Sequence, residues 1–320
     1  MKRNIYSYSK LWMIFFVLMG AACTNQVEDA IPVSGQPIEF SVQSDWKEIP
    51  NTRSDDKTQF THGDSIRIFC FYNEKKKFMY DVADSTRGQI VVLDDDGKTW
   101  NYKPKRFWPK EGKLLFLASY PQNSIHNYGV GTPMIYDQTV NPLRRDLLWG
   151  VSGKDCAKNE DCKNNVEITM VHALAKVNII LDNKSWGEIG TVIVSAYKAG
   201  RFTQTYGDGI PMWDVLPDVD KNKIDAVFGY NDLIRNNSLT SVTVTVFILP
   251  GKITGFQMFG VPHGNEDAKR IDASDKIFDG IKNLKFDAGK EYNLNISSKG
   301  VQKKNTNSRS IAMSVRCVSE

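Results

Sequence analysis

Residues 242–248 have the sequence VTVTVFI, in which apolar side chains alternate with threonine before the apolar pair at the end. This period of two predicts a β-strand with one buried face. Similar short alternations recur at residues 38–42, 66–70, 78–82, 90–93, 191–197, 254–261 and 292–296. Helical periodicity is nearly absent, and only residues 231–236 are typical of a helical turn. Many short strands at near-regular spacing predict an all-β chain with one β-sandwich in each half.

Two longer apolar runs indicate how the halves are divided. Residues 114–120 (LLFLASY) are apolar almost throughout and are followed by a proline, which predicts a strand buried on both faces. Residues 168–181 (ITMVHALAKVNIIL) open the second half with the period of a strand. The polar segment 154–165 between them is the best candidate for a domain boundary. We therefore expect an N-terminal β-sandwich at 38–163 and a C-terminal β-sandwich at 164–297.

The start of the chain is typical of an export signal. Cationic side chains precede nine apolar residues at 11–19, a run too short to span a bilayer. Small side chains then lead directly to Cys23, which predicts a bacterial lipoprotein signal peptide at 1–22 and an acylated Cys23 as the new N-terminus. An ordinary signal peptide or a short buried helix is the alternative. Residues 23–37 are polar and are expected to form a flexible tether.

The charge of the chain gives no reason to expect a nucleic-acid partner. The whole sequence has 41 basic and 37 acidic side chains, and three of the basic ones, Lys2, Arg3 and Lys10, lie in the signal. The remainder carries 38 basic side chains against 37 acidic ones, so it is nearly neutral. A nucleic-acid-binding domain would instead present an excess of positive charge.

The cysteines and histidines do not form a recognisable catalytic or metal-binding pattern. Cys156 and Cys162 lie in the polar loop DCAKNEDC, where a disulfide can form in an exported chain; two free thiols are the alternative. A metal site in this loop would lack a histidine and a second ligand pair, so no metal is expected. The sequence contains no HExxH, GxSxG, Walker or GxGxxG motif. We therefore expect no cofactor and no enzymatic activity.

The end of the chain combines a polar segment with an apolar alternation. Residues 298–309 have the composition of a mobile linker. Ile311, Met313, Val315 and Cys317 then share one face of an extended segment. Such a strand is not expected to pack well alone, because its backbone hydrogen-bonding groups would have no partner.

Several short motifs together carry a resemblance to a known family. They are residues 21–23 (AAC), 61–66 (THGDSI), 100–102 (WNY), 107–121 (FWPKEGKLLFLASYP), 172–176 (HALAK) and 288–292 (AGKEY). By their order and spacing the chain resembles the fimbrillin-like family of Bacteroidales lipoproteins, the pilins and accessory subunits of the type V pilus. The resemblance implies two tandem transthyretin-like β-sandwich domains. It also implies a structural or accessory role in a cell-surface fimbria and a contribution to adhesion.

The resemblance further implies assembly by proteolysis and donor-strand exchange. An arginine-specific protease would cut between Arg53 and Ser54. The displaced strand would contain Ile38, Phe40 and Val42, and its departure would open an apolar groove. A donor strand from the C-terminal region 298–320 of another subunit would fill the groove, with Ile311, Met313, Val315 and Cys317 as its apolar residues.

The same resemblance implies the partners and the location of the protein. The partners would be other pilin subunits, the outer membrane through the lipid on Cys23, and host or bacterial surface ligands. The location would be the surface of the cell outer membrane and the fimbrium. Arg309 directly precedes the tail strand, so the same protease could remove the proposed donor. An uncut Arg53 and a tail that docks on its own subunit are therefore open alternatives.

A different function is also compatible with the sequence. A surface lipoprotein that binds glycans without polymerising would stack sugars on exposed aromatic side chains. Trp186, Trp213 and Tyr230 are the candidate platforms. Tryptophans in a β-rich chain also serve in core or interdomain packing, so exposure decides between the two roles.

Overall fold

The computed structural model describes residues 31–44, 59–123, 125–129, 132–137, 143, 145–152, 165–202, 212–215, 223–235, 237–238, 240–262, 264, 267, 269–271, 273–297 and 299–308. The strands of the first half are β1 (Val33–Pro37), β2 (Glu39–Ser44), β3 (Ser65–Tyr72), β4 (Lys76–Met79), β5 (Gln89–Leu93), β6 (Trp100–Asn101), β7 (Phe107–Pro109), β8 (Leu114–Tyr120), β9 (Ile125–His126), β10 (Met134–Asp137) and β11 (Leu148–Val151).

The second half contains twelve strands and three short helices among the described residues. The strands are β12 (Asn165–His172), β13 (Ala175–Asp182), β14 (Gly187–Tyr197), β15 (Ala199–Phe202), β16 (Trp213–Val215), β17 (Lys223–Phe228), β18 (Asn237–Ser238), β19 (Ser241–Ile248), β20 (Gly255–Pro262), β21 (Lys269–Arg270), β22 (Lys290–Ser297) and β23 (Gly300–Ser308). The helices are α1 (Asn183–Trp186), α2 (Tyr230–Arg235) and α3 (Ala273–Ile281).

Hydrogen bonding arranges the described strands in five sheets. Strands of the first half and β12 of the second half form an eight-stranded sheet of order β2-β12-β11-β8-β3-β5-β6, with β4 also paired to β3. The second half forms a five-stranded sheet, β18-β19-β13-β22-β23, and a four-stranded sheet, β17-β14-β20-β21. A further four-stranded sheet, β16-β15-β10-β9, and the pair β1-β7 complete the set. The all-β prediction is confirmed, and the domain boundaries stay a prediction.

The second half is a sandwich around one apolar core, here called the C-terminal core. Its largest contributions come from alternate residues of β13, β14, β19 and β22. In β19, Val242, Val244 and Val246 are at most 1% exposed, whereas Thr243 and Thr245 are only half-buried. The alternation in residues 242–248 thus forms the predicted strand, because its valine face is covered by the opposite sheet.

The sequence predicted one helix and missed another. The turn expected at residues 231–236 is α2. The nine-residue α3 was not predicted, because its two buried apolar side chains, Ile277 and Ile281, supply only one i, i+4 pair. It packs on β20, where the Met258 N–H donates a hydrogen bond to the buried Ser274 Oγ at 2.9 Å.

The eight-stranded sheet has apolar layers on both faces, and β8 confirms the prediction that it is buried on both. Leu114, Phe116 and Ala118 join one cluster, the N-terminal core, which also contains side chains of β2, β3, β5 and β12. Leu115 and Leu117 join a second cluster on the opposite face. This second cluster, the junction cluster, includes Trp149, Phe202, Tyr136, Leu174 and Phe247 and is covered in part by Trp213.

Strands from both halves meet in the sheet beside the junction cluster. Strand β10 pairs with β15 from Met134 opposite Phe202 to Asp137 opposite Ala199. The continuous apolar period of residues 168–181 is also divided here, because β12 ends at His172 in one sheet and β13 starts at Ala175 in another. Only two residues separate them, so the halves are joined both covalently and by apolar packing.

Two segments that were predicted to be flexible contain strands. Within the expected linker 298–309, β23 pairs with β22 from Gly300 opposite Ser297 to Ser308 opposite Lys290. Polar composition suits such an edge strand because the backbone bonds do not depend on side-chain type. Lys303 adds a cation–π contact, with its Nζ 4.4 Å from the centre of the Tyr292 ring.

The expected tether 23–37 likewise ends in β1, which pairs with β7. Pro and Gly in its sequence, VSGQP, concealed the strand, since these residues usually interrupt one. The Lys110 N–H also donates to the Pro32 carbonyl at 2.8 Å. The pairing exists because the short β7 offers backbone groups that no other described strand bonds.

A buried ion pair fastens two loops to the eight-stranded sheet. Arg67 on β3 is 4% exposed, and its Nη1 donates to Asp81 Oδ2 at 2.6 Å and to the Gly88 carbonyl at 2.9 Å. Its Nε donates to the Gln122 carbonyl at 2.9 Å. The hydrogen bond from Arg67 is the largest cause that holds the pKa of Asp81 below its usual range.

We predict that Asp81→Asn lowers the free energy of unfolding at pH 7 by about 1.5–3 kcal/mol, the usual value for a hydrogen bond to a charged group. Because the folded pKa of Asp81 is depressed, its contribution is present above the ordinary pKa of about 4 and is lost as the pH falls through the folded pKa. Urea unfolding of both chains at several pH values should therefore show the difference shrinking in acid. Asp279→Asn, which removes an exposed partner of Lys282, is the control and should change little. A difference that persists unchanged in acid would contradict this role.

Candidate strand-exchange site

Strand β2 occupies one edge of the eight-stranded sheet. It runs parallel to β12, from Glu39 opposite Asn165 to Ser44 opposite Met170. Among the described strands, β12 is its only neighbour in the sheet, so the other edge of β2 is unpaired there. A terminal strand at a sheet edge can leave without disturbing the pairing of the others.

The inward side chains of this edge strand belong to the N-terminal core. Ile38 is completely buried and Phe40 is 4% exposed, while Val42 packs against the same cluster and is half-buried. The Phe40 ring meets Tyr102 and Phe116 edge-on, each with ring centres 5.6 Å apart. The β12 side chains beneath this face are Val166, Ile168 and Met170, which are at most 1% exposed. Removal of β2 would therefore uncover an apolar groove.

The backbone of Ile38 is held from both sides by residues of one loop. Its N–H donates to the Arg106 carbonyl at 2.9 Å, and the Tyr102 hydroxyl donates to its carbonyl at 2.7 Å. The same hydroxyl accepts a hydrogen bond from the Arg106 N–H at 3.3 Å. Burial raises the pKa of Tyr102 to about 12, so the phenol keeps the proton that it donates. These contacts would accept the backbone of any residue at this position.

A second edge is covered by the same N-terminal segment. Strand β1 lies on β7, with Val33 opposite Pro109 and Pro37 opposite Phe107. Trp108 between them is 1% exposed and belongs to the N-terminal core. Loss of residues 31–44 would thus expose the backbone of β7 as well as the edge of β12.

Only some of the predicted site residues lie within the part of the chain that the structure describes. Ile38, Phe40 and Val42 lie together on the buried face of the edge strand. The other predicted site residues, Cys23, Arg53, Ser54, Cys156, Cys162, Ile311, Met313, Val315 and Cys317, lie outside the described residues.

Sequence reasoning missed the roles of Tyr102 and Arg106. Tyr102 was noticed only as part of a family motif. Its hydroxyl donates a hydrogen bond to the Ile38 carbonyl, 64 positions away in the sequence, so no local pattern predicts the contact. The one available signal is the tyrosine itself, because its hydroxyl needs a partner when the ring is buried.

Two of the three candidate sugar platforms are packed against the protein. Trp213 meets Tyr136 and Phe202 edge-on, and its Nε1 donates to the Ala173 carbonyl at 2.7 Å. Trp186 packs against the C-terminal core. Tyr230, at 53% exposure, is the most accessible of the three. The tryptophans therefore serve in packing at the junction and in the second half.

The buried histidine His172 and the acidic loop 94–97 have structural partners. His172 is buried, and its Nδ1 is hydrogen-bonded to Asp146 Oδ2. In the loop 94–97, Asp96 accepts hydrogen bonds from the Lys98 and Thr99 N–H groups. Among the described residues, no three His, Cys, Asp or Glu side chains are grouped closely enough to hold a metal ion. Over the same residues, no helix has the length and apolar character needed to cross a membrane.

Comparison with known proteins identifies the class of protein. A family model described as fimbrillin-like matches residues 52–312, which is most of the chain. The chain therefore belongs to the fimbrillin-like family. It is a subunit of cell-surface fimbriae, a class of structural proteins that associate with other fimbrial subunits.

The solved structures that match this chain include proteins from Bacteroides and Porphyromonas species, whereas no curated protein sequence matches. A candidate cell adhesion protein from Bacteroides uniformis is 17% identical, with 86% of this chain and 98% of that chain covered and a TM-score of 0.49. A fimbrial protein from Bacteroides vulgatus is 13% identical, with 85% and 99% covered and a TM-score of 0.43. The fimbrial anchor protein Mfa2 from Porphyromonas gingivalis is 12% identical, with 81% and 90% covered and a TM-score of 0.32.

We predict that Tyr102→Phe weakens the attachment of β2. The change leaves the buried Ile38 carbonyl without its donor, which costs about 1–3 kcal/mol. Urea unfolding should show that loss, and amide hydrogen exchange should become faster at residues 38–44. Tyr128→Phe removes a hydroxyl from a side chain that is 65% exposed and is the matched control. Equal stability of the two variants would contradict the role of the Tyr102 hydroxyl in holding the Ile38 carbonyl.

Proposed function

We propose that this fimbrial subunit assembles by cleavage and strand exchange. A protease cuts between Arg53 and Ser54, and the N-terminal segment that contains β1 and β2 departs. Residues of the C-terminal tail of another subunit, with Ile311 and Cys317 at its ends, then take the place of β2. The protein acts as a structural or accessory subunit, contributes to adhesion and carries out no catalysis.

The observation that carries this proposal is the placement of Phe40. This core residue belongs to a strand that ends at Ser44, and the next described strand begins at Ser65. A cut after Arg53 falls between the two strands. It would therefore separate β1 and β2 from the chain and leave every later strand in one piece.

The energetics support capture of a replacement strand. Ile38 and Phe40 each stabilise the fold by about 1.5–3 kcal/mol through burial, and the half-buried Val42 contributes less. Their loss would also leave the edge of β12 without backbone partners. An added strand restores both the hydrogen bonds and the apolar contacts, and this is how strand addition gives affinity and specificity.

The same cleavage decides the role of the lipid. We place the protein at the outer membrane through acylated Cys23, with host or bacterial surface ligands as further partners. If Arg53 is cut, the lipid leaves with residues 24–53, so it serves only during delivery to the cell surface. If Arg53 stays intact, Cys23 is a permanent anchor and the subunit lies at the fimbrial base.

We predict that treatment of residues 24–320 with an arginine-specific protease produces a ladder of polymers in gels of unboiled samples. Arg53→Ala should remain monomeric because its first strand is retained. A chain without residues 310–320 should be cut but should not polymerise. Arg201→Ala removes a half-exposed arginine that pairs with Asp214, and it is the control that should polymerise normally.

Two results would overturn parts of the proposal. Equal ladders from wild type and Arg53→Ala would exclude cleavage at Arg53 as the trigger. Equal ladders with and without residues 310–320 would exclude the tail as the donor. Intact mass measurement after proteolysis checks whether a cut at Arg309 has removed the tail.

A further inference from the structure

We propose that residues 311–317 of a second copy replace residues 38–44 position for position and in the same direction. Ile311 takes the place of Ile38, and Cys317 lies opposite Met170 of the receiving subunit. This inference rests on the proposed function, which requires a donor strand but specifies neither its register nor its direction.

The first observation is that the two segments have closely similar sequences. Residues 38–44 are IEFSVQS and residues 311–317 are IAMSVRC. Isoleucine, serine and valine are identical at the first, fourth and fifth positions. The third position has a long apolar side chain in both segments, and the seventh has a small one. The tail is therefore an approximate copy of β2.

The structure explains why these positions need such side chains. The first position is completely buried beneath the clamp formed by Tyr102 and Arg106. At the third, Phe40 lies between the Tyr102 and Phe116 rings, where a methionine makes favourable sulfur–aromatic contacts. The seventh, Ser44, is half-buried and lies opposite the buried Met170, so a small side chain suffices there.

The order of the side chains favours one direction. In the direction of β2, isoleucine meets the closed first position and cysteine meets the position of Ser44. In the opposite direction, Cys317 would fall in the Ile38 position and leave space unfilled there. Ile311 would then leave the closed first position for the half-buried position of Ser44, opposite Met170. Core packing penalises the cavity that cysteine would leave at the first position.

The outward side chains of the donor carry a more favourable charge next to β12 than those of β2. Glu39 is exposed and lies two positions from Ser41, which is opposite the exposed Glu167. In the proposed register Ala312 replaces Glu39, and Arg316 replaces Gln43. The donor thus removes a carboxylate near Glu167 and adds a cation at a diagonal position on the same face.

The register also selects a second copy as the source of the tail. In the same chain, β23 ends at Ser308 opposite Lys290, which is level with Ala175 beyond the end of β12. The Ile38 position lies at the other end of β12, whose eight residues span about 23 Å. Residue 311 is three residues past Ser308, a reach of at most about 11 Å. This short reach favours the tail of a second copy while β23 stays paired.

The test is a cross-link to the native Cys317. Opposite residues of neighbouring strands lie within the range of Cα separations that a disulfide requires. Met170→Cys, cleaved and polymerised with oxidised glutathione as the oxidant, should give a ladder that survives boiling and disappears on reduction. The covalent ladder, which survives boiling, should be lost when Met170→Cys is combined with Cys317→Ser. Ile168→Cys lies two residues earlier on the same face of β12 and should not cross-link to Cys317.

Two further variants protect the test from a folding failure. Ser44→Cys with Met170→Cys should close a disulfide within the uncleaved chain, because these residues are opposite each other in β2 and β12. Ile168→Cys combined with Val315→Cys and Cys317→Ser should restore the covalent ladder, because residues 168 and 315 are opposite each other in the proposed register. An Arg309→Gln background keeps the tail attached if proteolysis removes it.

Each result has a distinct meaning. A cross-link of Cys317 to Ile168→Cys in place of Met170→Cys would overturn the register while strand exchange stands. Cross-linking within one subunit would overturn the assignment to a second copy. Normal ladders in unboiled samples without a cross-link at either designed pair would overturn the same-direction alignment. Failure of the wild-type chain to polymerise would instead overturn the proposed function.

Discussion

The insertion of Phe40 between Tyr102 and Phe116 is the interaction on which the proposed assembly depends. A core normally uses side chains from strands in the interior of a sheet, because such strands are held on both sides. Here an edge strand with one described neighbour supplies part of the core. Its position is set by a parallel ladder to β12 and by the two hydrogen bonds at Ile38. The N-terminal core is therefore complete only while some strand occupies this edge, and that requirement would drive the proposed exchange.

The receiving groove and the second half of the protein are closely connected. Strand β12 forms one wall of the groove, and the chain enters β13 after only two further residues. Strand β10 also pairs with β15, so the junction cluster is closed by strands from both halves. In the proposed fimbria, a pulling force on a strand bound at β12 would be transmitted to the five-stranded sheet of the second half. The last described strand of that sheet, β23, leads into the proposed donor tail. Trp149 and Trp213 contribute to this connection through packing rather than ligand binding.

Much of the fold could be predicted from local patterns, and the exceptions have physical causes. The valines of residues 242–248 and the run 114–120 were predicted correctly, because burial of one face or of both imposes a period that is visible in the sequence. Strands β1 and β23 were missed because pairing at a sheet edge depends on backbone groups, which leave no such period. Of the candidate site, the apolar residues of β2 were found by alternation, whereas Tyr102 was missed because its partner is 64 positions away.

The sequence alone determined that the chain is rich in strands, that it belongs with fimbrillin-like proteins, and that residues 38–42 form an amphipathic strand. These properties depend on neighbouring residues, so they appear as local patterns. Only the tertiary structure decided that this strand lies at an edge parallel to β12 and that its Phe40 completes a core. It also decided that one tyrosine hydroxyl holds the Ile38 carbonyl. The reason is that register and burial arise from contacts between residues far apart in the chain, and no local period encodes them.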